Sequence, residues 1–345
     1  MPDENKLPWY KRKKIQVVLA VVIVLFFCSL FIMAINYSFP NFFNLAVQED
    51  GTVRAEAAAV GEPVKAPPAN WTKGLMMTDT LIVIGDDLFS NWLPNDQIWP
   101  TVFLDNPQNY QLGALEMMRY TVRTMRDNLA RFGSADAMNQ ECDQAFTLLS
   151  INAKKWMFPR AESEYKKALD ALRVYRQKLA AGEAGFSPRE DNLKELLQQY
   201  VSLLGAINNR LANAPGSQRA KGGQPTAAES AADPAASQVE QYGAVDVPWH
   251  QIDDNFYYAQ GAAYVLRQML AAIKYDFSVI LDSKNAGPQV DNIIAVLDQC
   301  QFEPLIVLNG DIGSITANHS MELHSLLENA RQRIRNLSEM LRQTN

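Results

Sequence analysis

One segment near the C-terminus combines residue types that could hold an anion. Residues 307–327 place a glycine-containing turn before a predicted helix, whose first residues are Asn318, His319 and Ser320. Free backbone N–H groups at a helix N-terminus bind anions, and a histidine adds a group that changes charge near neutral pH. The same residues also suit a plain helix start, with the asparagine or the serine as its cap. Capping is the favoured interpretation, because the segment lacks the Gly-Lys-Ser/Thr of a phosphate-binding loop.

A second candidate site combines a histidine with two carboxylates. His250 precedes Asp253 and Asp254, and aromatic residues flank all three. Paired carboxylates are the usual requirement for hydrolysis of sugar polymers. However, adjacent aspartates on a helix point about 100° apart, and an aspartate before a helix is commonly its cap. An envelope hydrolase is therefore only a minor alternative.

The chain offers poor material for a metal centre. His319 and His324 are five residues apart, which is about 140° around a helix, and the third histidine is distant. The sequence contains no His-Glu-x-x-His, no Cys-x-x-Cys and no Gly-x-Ser-x-Gly. We therefore expect neither a metal nor another cofactor, and we expect a protein that is not an enzyme.

Two helical segments share one pattern of Tyr, Gly, Ala and Arg. Its two copies have identical intervals: Tyr110, Gly113, Ala114 and Arg119, then Tyr258, Gly261, Ala262 and Arg267. A glycine inside a helix costs up to about 1 kcal/mol relative to alanine, so either a close helix contact or space for a ligand should compensate. Two copies in one chain favour the close contact, with two diverged, duplicated halves meeting at equivalent small residues.

The elements that must position these residues are predicted to be helices. Most of the chain after residue 71 has the apolar periodicity of amphipathic helices, and Ser187, Pro188 and Glu190 form a helix start. The last helix carries a heptad seam, formed by Leu323, Leu327, Ala330, Ile334, Leu337 and Leu341. Such a seam serves the interior of a helical bundle, which we favour, or the self-association of two chains.

Composition divides the chain into six parts. Stretches rich in Ala, Pro, Gly and Ser with few large apolar residues are typical of linkers. The order is a basic tail at 1–14, an apolar run at 15–35, a tether at 36–70, a helical half at 71–212, a flexible linker at 213–246 and a second helical half at 247–345.

Residues 15–35 predict a membrane anchor. These 21 residues contain no charge, and at about 1.5 Å each they match a hydrocarbon core of about 30 Å. The run is too long for a signal peptide, and no small-x-small site follows it directly. The preceding basic cluster, residues 11–14, places the N-terminus in the cytoplasm. The predicted fold class is mainly α: one N-terminal transmembrane helix, then a periplasmic helical bundle of two pseudo-duplicated halves.

The charge balance limits the possible partners. Residues 15–345 carry 27 basic and 36 acidic side chains, a net charge of −9. Such a body is a poor binder of nucleic acid and is repelled by anionic head groups, so we expect only the anchor to contact the bilayer. Cys142 and Cys300 fall outside the cytoplasm in this topology, where a disulfide is permitted; burial as two free thiols is favoured.

Several segments have a distinctive sequence, above all DDNFYYAQG at 253–261 and ANHS at 317–320. Together with TLIVIGDDLFSN and LDNPQNYQLG, they are similar to a bacterial family of single-pass membrane proteins catalogued as domain of unknown function 2333. The similarity extends from about residue 74 to about residue 341. The resemblance implies a Gram-negative inner-membrane protein that faces the periplasm, and it implies no activity and no catalytic residue.

These observations favour a non-enzymatic scaffold or adaptor of a cell-envelope complex, which binds a partner protein through its helix faces. The alternative is a periplasmic ligand-binding or sensory module with a pocket between the halves. Its candidate ligand-binding residues are Asn318, His319, Ser320, Tyr258, Asp254 and His250.

Overall fold

The computed structural model describes residues 8, 13–36, 39–47, 53–57, 71–96, 105–131, 137–212, 251–302, 304, 307–308 and 318–342. Within these ranges the protein is mainly helical, with ten α-helices and one pair of antiparallel strands. The helical part of the predicted fold class is therefore confirmed.

The helices and strands have these bounds along the chain: α1 (Lys13–Asn36), β1 (Phe43–Val47), β2 (Val53–Ala57), α2 (Leu75–Ser90), α3 (Asp105–Thr124), α4 (Gln140–Leu149), α5 (Ala161–Ala180), α6 (Glu190–Ala212), α7 (Ile252–Asp276), α8 (Ser278–Ser283), α9 (Gly287–Asp298) and α10 (His319–Arg342). One π-helical turn, Met125–Leu129, extends α3. Helix α6 begins at Glu190, two residues after the predicted start at Pro188, and the Ser187 N–H before it donates to the Leu129 carbonyl at 2.7 Å.

Helix α1 is apolar, and its side chains are not part of the buried core. Its side chains are described for Lys13 and residues 15–29, and the large apolar ones between Val17 and Phe27 are mostly 46–63% exposed. In the part of the chain that the structure describes, none of the helices combines the length and the apolar character of a membrane span. The transmembrane anchor predicted at 15–35 is therefore not supported by the structure.

Part of the segment predicted as a tether, 36–70, packs on the helical body. Phe42 and Leu45 are buried, and the Phe42 ring stacks on Tyr264 of α7 with centroids 5.9 Å apart. Strands β1 and β2 pair antiparallel, with Phe43 opposite Ala57 and Val47 opposite Val53. The difference from the prediction has a simple cause, since the start of this segment holds apolar side chains that gain free energy when they leave water.

The heptad seam of α10 is buried in the interior of the protein. All six of its residues are at most 1% exposed, and α10 packs against α6. Beside this pair, α3 packs against α7, while α5 packs against both α2 and α4. The structure thus uses the seam in the bundle interior.

A buried carboxylate joins the end of α7 to the start of α2. Asp276 accepts hydrogen bonds from the Met77 N–H at 2.8 Å and from the Trp71 indole at 3.0 Å. Burial raises the pKa of Asp276 to about 6, although these donors act in the opposite direction. The contact fixes the start of α2 beside the end of α7. The position of the far end of α2 follows from this.

Candidate functional site

The two copies of the repeated pattern meet where α3 crosses α7. A Cβ built on Gly113 would lie 1.9 Å from the Tyr258 carbonyl oxygen, and a Cβ on Gly261 would lie 1.9 Å from the Tyr110 carbonyl oxygen. Each helix therefore offers the other the same surface, as in an isologous interface. Both alanines of the pattern are fully buried: Ala114 and Ala262. The backbone of the opposite helix occupies the space beside each glycine, so no space for a ligand remains there.

The two arginines of the pattern each bind the end of a helix. Arg119 donates to the carbonyls of Leu149 and Ile151, at 2.7 and 2.8 Å, where α4 ends. Arg267 is fully buried, and its Nε donates to Asp298 at 2.9 Å, where α9 ends. A cation at a helix C-terminus is favourable, so both residues have structural partners.

The segment predicted as an anion site is a capped helix start. The Asn318 side chain accepts from the Met321 N–H at 2.9 Å. The His319 Nδ1 accepts from the Leu308 N–H at 2.9 Å, and the His319 N–H donates to the Leu308 carbonyl at 2.9 Å. Ser320 is fully buried. These contacts agree with the capping interpretation, and they occupy the N–H groups of His319 and Met321.

The remaining predicted ligand residues lie elsewhere. His250 is outside the described residues. Asp254 accepts from the Asn109 amide at 2.6 Å, which joins the starts of α7 and α3. The Tyr258 ring lies 5.4 Å from the Arg210 guanidinium carbon, and burial raises the pKa of this tyrosine. The structure therefore places Tyr258 and His319 among different neighbours.

A groove lies between the segment after α1, the hairpin, α2 and α7. Its volume is about 310 Å³, at the lower end of the range for small-molecule sites. Its described lining consists of Phe39, Pro40, Asn41, Phe43, Ala55, Val83, Asp87 and Tyr264. Most of this lining is apolar or aromatic, and Asp87 supplies its negative charge.

Aromatic contacts hold the segment after α1 against the helices and so shape the groove. The Phe39 ring stacks on Tyr257 at 5.4 Å and tilts against Tyr110 at 4.8 Å. The Tyr264 hydroxyl donates to the Asn41 carbonyl at 3.4 Å. Aromatic faces carry negative potential and attract cations. The walls therefore favour a ligand that is apolar along its length and positive at one end.

Asp87 is the polar group that distinguishes this groove. Its neighbour Asp86 pairs with Arg173, whereas no described cationic side chain pairs with Asp87. Asp87 lies at the exposed edge of the groove, where a partial loss of hydration raises its pKa. Burial, and then the charge of Asp87, raise the pKa of Tyr264. A cation in the groove would interact favourably with this carboxylate.

A wider depression on α10 is less suitable as a binding site. Its volume is about 550 Å³, but one face of one helix supplies its described lining: Met321, His324, Ser325, Glu328, Asn329 and Gln332. Ligand sites are concave and bury most of their ligand, which one helix face cannot do. The groove beside the hairpin is therefore the better candidate.

The described residues contain no arrangement suited to metal binding or to thiol chemistry. These residues contain no group of three or more His, Cys, Asp or Glu side chains that could hold a metal ion. Cys142 and Cys300 are free and buried, and burial raises the pKa of both thiols. Because the thiolate is the reactive form, both cysteines act as small apolar core residues.

The groove residues belong to no motif in the sequence. The available signals are three phenylalanines within residues 39–43 and two adjacent acidic residues, Asp86 and Asp87, near the end of a mainly apolar helix. Neither signal shows that these residues are neighbours in space, because Tyr264 and Asn41 are separated by 223 positions.

Comparisons with curated proteins and with solved structures give no match. Over residues 10–344, the chain matches the family DUF2333, described as an uncharacterized protein conserved in bacteria. The match includes both copies of the repeated pattern, the groove and α10, and it confirms the resemblance seen in the sequence. The chain therefore belongs to the bacterial family DUF2333, whose function is unknown.

Proposed function

We propose that the protein is a non-enzymatic scaffold of the bacterial cell envelope, held at the inner membrane by residues 15–35 with its helical body in the periplasm. The charge-free run behind a basic cluster supports the membrane placement. The exposed apolar side chains of α1 also support it, since a large apolar surface is unfavourable in water. The periplasmic side follows from the positive-inside rule.

One observation carries the scaffold proposal: an aromatic groove ends at a carboxylate, Asp87, that has no described cationic partner. A lysine or arginine side chain of a partner protein fits this arrangement. Its methylene stem would pack against Phe43 and Val83, and its charged end would reach Asp87. Such a contact would be sensitive to loss of the carboxylate charge.

The position of the groove suits a partner that is itself close to the membrane. Phe39, at one end of the lining, lies three residues after the end of α1 at Asn36. A partner segment in the groove would therefore bind close to the proposed anchor. This arrangement favours another membrane protein of the envelope over a freely diffusing partner.

A photocrosslinking amino acid tests this proposal. It would replace Val83 in the full-length protein in native membranes, with Val174 on α5 as an exposed control position. We expect an adduct with one partner at Val83 that the Val174 position does not give. Asp87→Asn should abolish the adduct, and Asp86→Asn, the same change at the next residue, should retain it. Equal adducts at the two positions, or an adduct that survives Asp87→Asn, would refute the proposal.

The second candidate function is a periplasmic ligand-binding module, and the volume of the same groove supports it. A free organic cation would then occupy the place of the partner side chain. Thermal unfolding of the purified full-length protein with choline, ethanolamine and putrescine tests this alternative. A rise in the unfolding midpoint in the wild type, absent in Asp87→Asn, would favour the ligand-binding function over the scaffold.

A further inference from the structure

Three adjacent apolar side chains are exposed in the loop before α5. We call them the apolar tip: Trp156 is 46% exposed, Met157 is 53% exposed and Phe158 is 94% exposed. Single exposed apolar side chains are ordinary on protein surfaces. Three consecutive large ones form a contiguous patch, and such patches mark contacts with proteins or membranes.

The stem of this loop is fixed by hydrogen bonds. The Ala161 N–H donates to the Lys155 carbonyl at 2.9 Å, which closes the loop around the apolar tip. The Asn95 amide donates to the same carbonyl at 3.1 Å, and the Trp92 indole donates to the Ala153 carbonyl at 3.0 Å. The apolar tip is therefore held outward by a defined loop.

The charges next to the apolar tip are positive. Lys154, Lys155 and Arg160 are all exposed, and Arg160 has a carboxylate partner, Glu162, only at 3.7 Å. Residues 15–345 as a whole carry a net charge of −9, so this loop is a basic point on an acidic body. The expected repulsion from anionic head groups therefore does not hold locally at this loop.

Contacts at neighbouring positions on α3 link the chain that leaves α1 to the base of the apolar tip. Phe39 contacts Tyr110 on α3 with ring centroids 4.8 Å apart. The next residue, Gln111, accepts from the Leu93 N–H at 2.8 Å, beside the Trp92 that binds the stem of the loop. Two adjacent residues of one helix thus connect the exit from α1 with the base of the tip.

We propose that the apolar tip inserts into the head-group region of an anionic bilayer while Lys154, Lys155 and Arg160 bind lipid phosphates. Tryptophan and phenylalanine are suited to burial at the membrane interface, and basic residues near an anionic surface add attraction. The tip would give the body a second contact with the membrane beside α1. The inference rests on the membrane placement in the proposed function, and the test separates the two.

The test uses the full-length protein in vesicles that contain phosphatidylglycerol and a doxyl-labelled lipid as a quencher. An environment-sensitive fluorophore on Cys28 reports insertion of α1. In a Cys28→Ser background, Phe158→Cys reports the apolar tip and Val279→Cys serves as the control. Cys142 and Cys300 are buried, and the Cys28→Ser protein alone checks that they remain unlabelled.

Val279 is a matched control because it is apolar and 71% exposed. Val279 lies three residues after Asp276, which binds the start of α2. The loop that carries the tip is bound by Trp92, which lies just after the end of α2. Helix α2 has 16 residues and is about 24 Å long. The two labels therefore report opposite ends of the body.

We expect the label at Phe158→Cys to shift to the blue and lose intensity to the quencher, as the Cys28 label does, while the Val279→Cys label stays unquenched. A Phe158→Cys label that behaves like the control while Cys28 is quenched would overturn the inference and leave the anchor standing. Loss of quenching at both Cys28 and Phe158→Cys would overturn the anchor and the inference together.

The three cations are tested by Lys154→Gln, Lys155→Gln and Arg160→Gln in one protein. We expect weaker quenching at the apolar tip in phosphatidylglycerol vesicles and no change in vesicles of phosphatidylcholine alone. Equal quenching with and without the cations would overturn their assignment to lipid phosphates.

Discussion

Replacing Gly261 by alanine should lower the free energy of unfolding by about 2 kcal/mol. The added Cβ would lie 1.9 Å from the Tyr110 carbonyl oxygen, where at least 3.0 Å is needed, so the two helices must separate by about 1 Å. Shifts of packed backbone cost roughly 1–3 kcal/mol, and occasionally more. Alanine offsets up to about 1 kcal/mol of this through its higher helix propensity.

Gly113→Ala should have a similar effect, and the double variant should lose less than the sum of the two. One separation of α3 from α7 relieves both collisions, so the two changes are coupled. Urea unfolding of the full-length protein in detergent, followed by circular dichroism, measures each midpoint at an unchanged slope. The control is Gly205→Ala on α6, where a Cβ would meet only the flexible end of Arg331 at 3.3 Å. If Gly261→Ala were as stable as Gly205→Ala, the close-contact explanation of the repeated pattern would be wrong.

Three further predictions concern polar contacts in the interior. Because burial raises the pKa of Asp276 to about 6, the folded protein binds this proton more tightly than the unfolded chain does. The protonated carboxyl therefore contributes its full stabilisation below about pH 4, and the contribution is lost as the pH rises to about 6. Urea unfolding between these pH values should show the stability of the wild type falling by about 3 kcal/mol relative to Asp276→Asn, and a constant difference would contradict the raised pKa. Arg267→Met leaves Asp298 buried without its cation and should cost roughly 3–5 kcal/mol in the same assay, whereas adding Asp298→Leu should recover much of the loss. Asn318→Ala removes the cap of α10 and should cost about 1 kcal/mol, measured as a lower unfolding midpoint, with Asn318→Asp as the neutral control.

The sequence predicts the long helices well because their periodicity is local. Helix α6 begins within two residues of the start predicted at Pro188, and every residue of the heptad seam of α10 is buried. The contact between α3 and α7 is also foreseeable, since a glycine repeated at the same place in two helices requires a reason. The hairpin is harder to predict, because β2 has only five residues, two of which are alanine.

The groove and the apolar tip cannot be read from local patterns. Asp87 and Tyr264 become neighbours through packing between elements that are far apart in the chain, and no periodicity records that contact. Residue type predicts burial for Trp156 and Phe158, so their exposure becomes known only from the structure of the loop. The available signal was the cluster of cations on both sides of them, which a core segment would not carry.

The contact between α3 and α7 has a mechanical consequence. Each carbonyl occupies the place of a Cβ on the opposite helix, so no flexible side chain separates the two backbones at the crossing. Turning or sliding either helix would drive the Cβ of a neighbour, such as Leu112 or Ala262, toward that carbonyl, and close-packed interiors resist compression. A pull that α1 transmits through Phe39 to Tyr110 would therefore not be absorbed at the crossing. The two helices would therefore move together as one rigid unit.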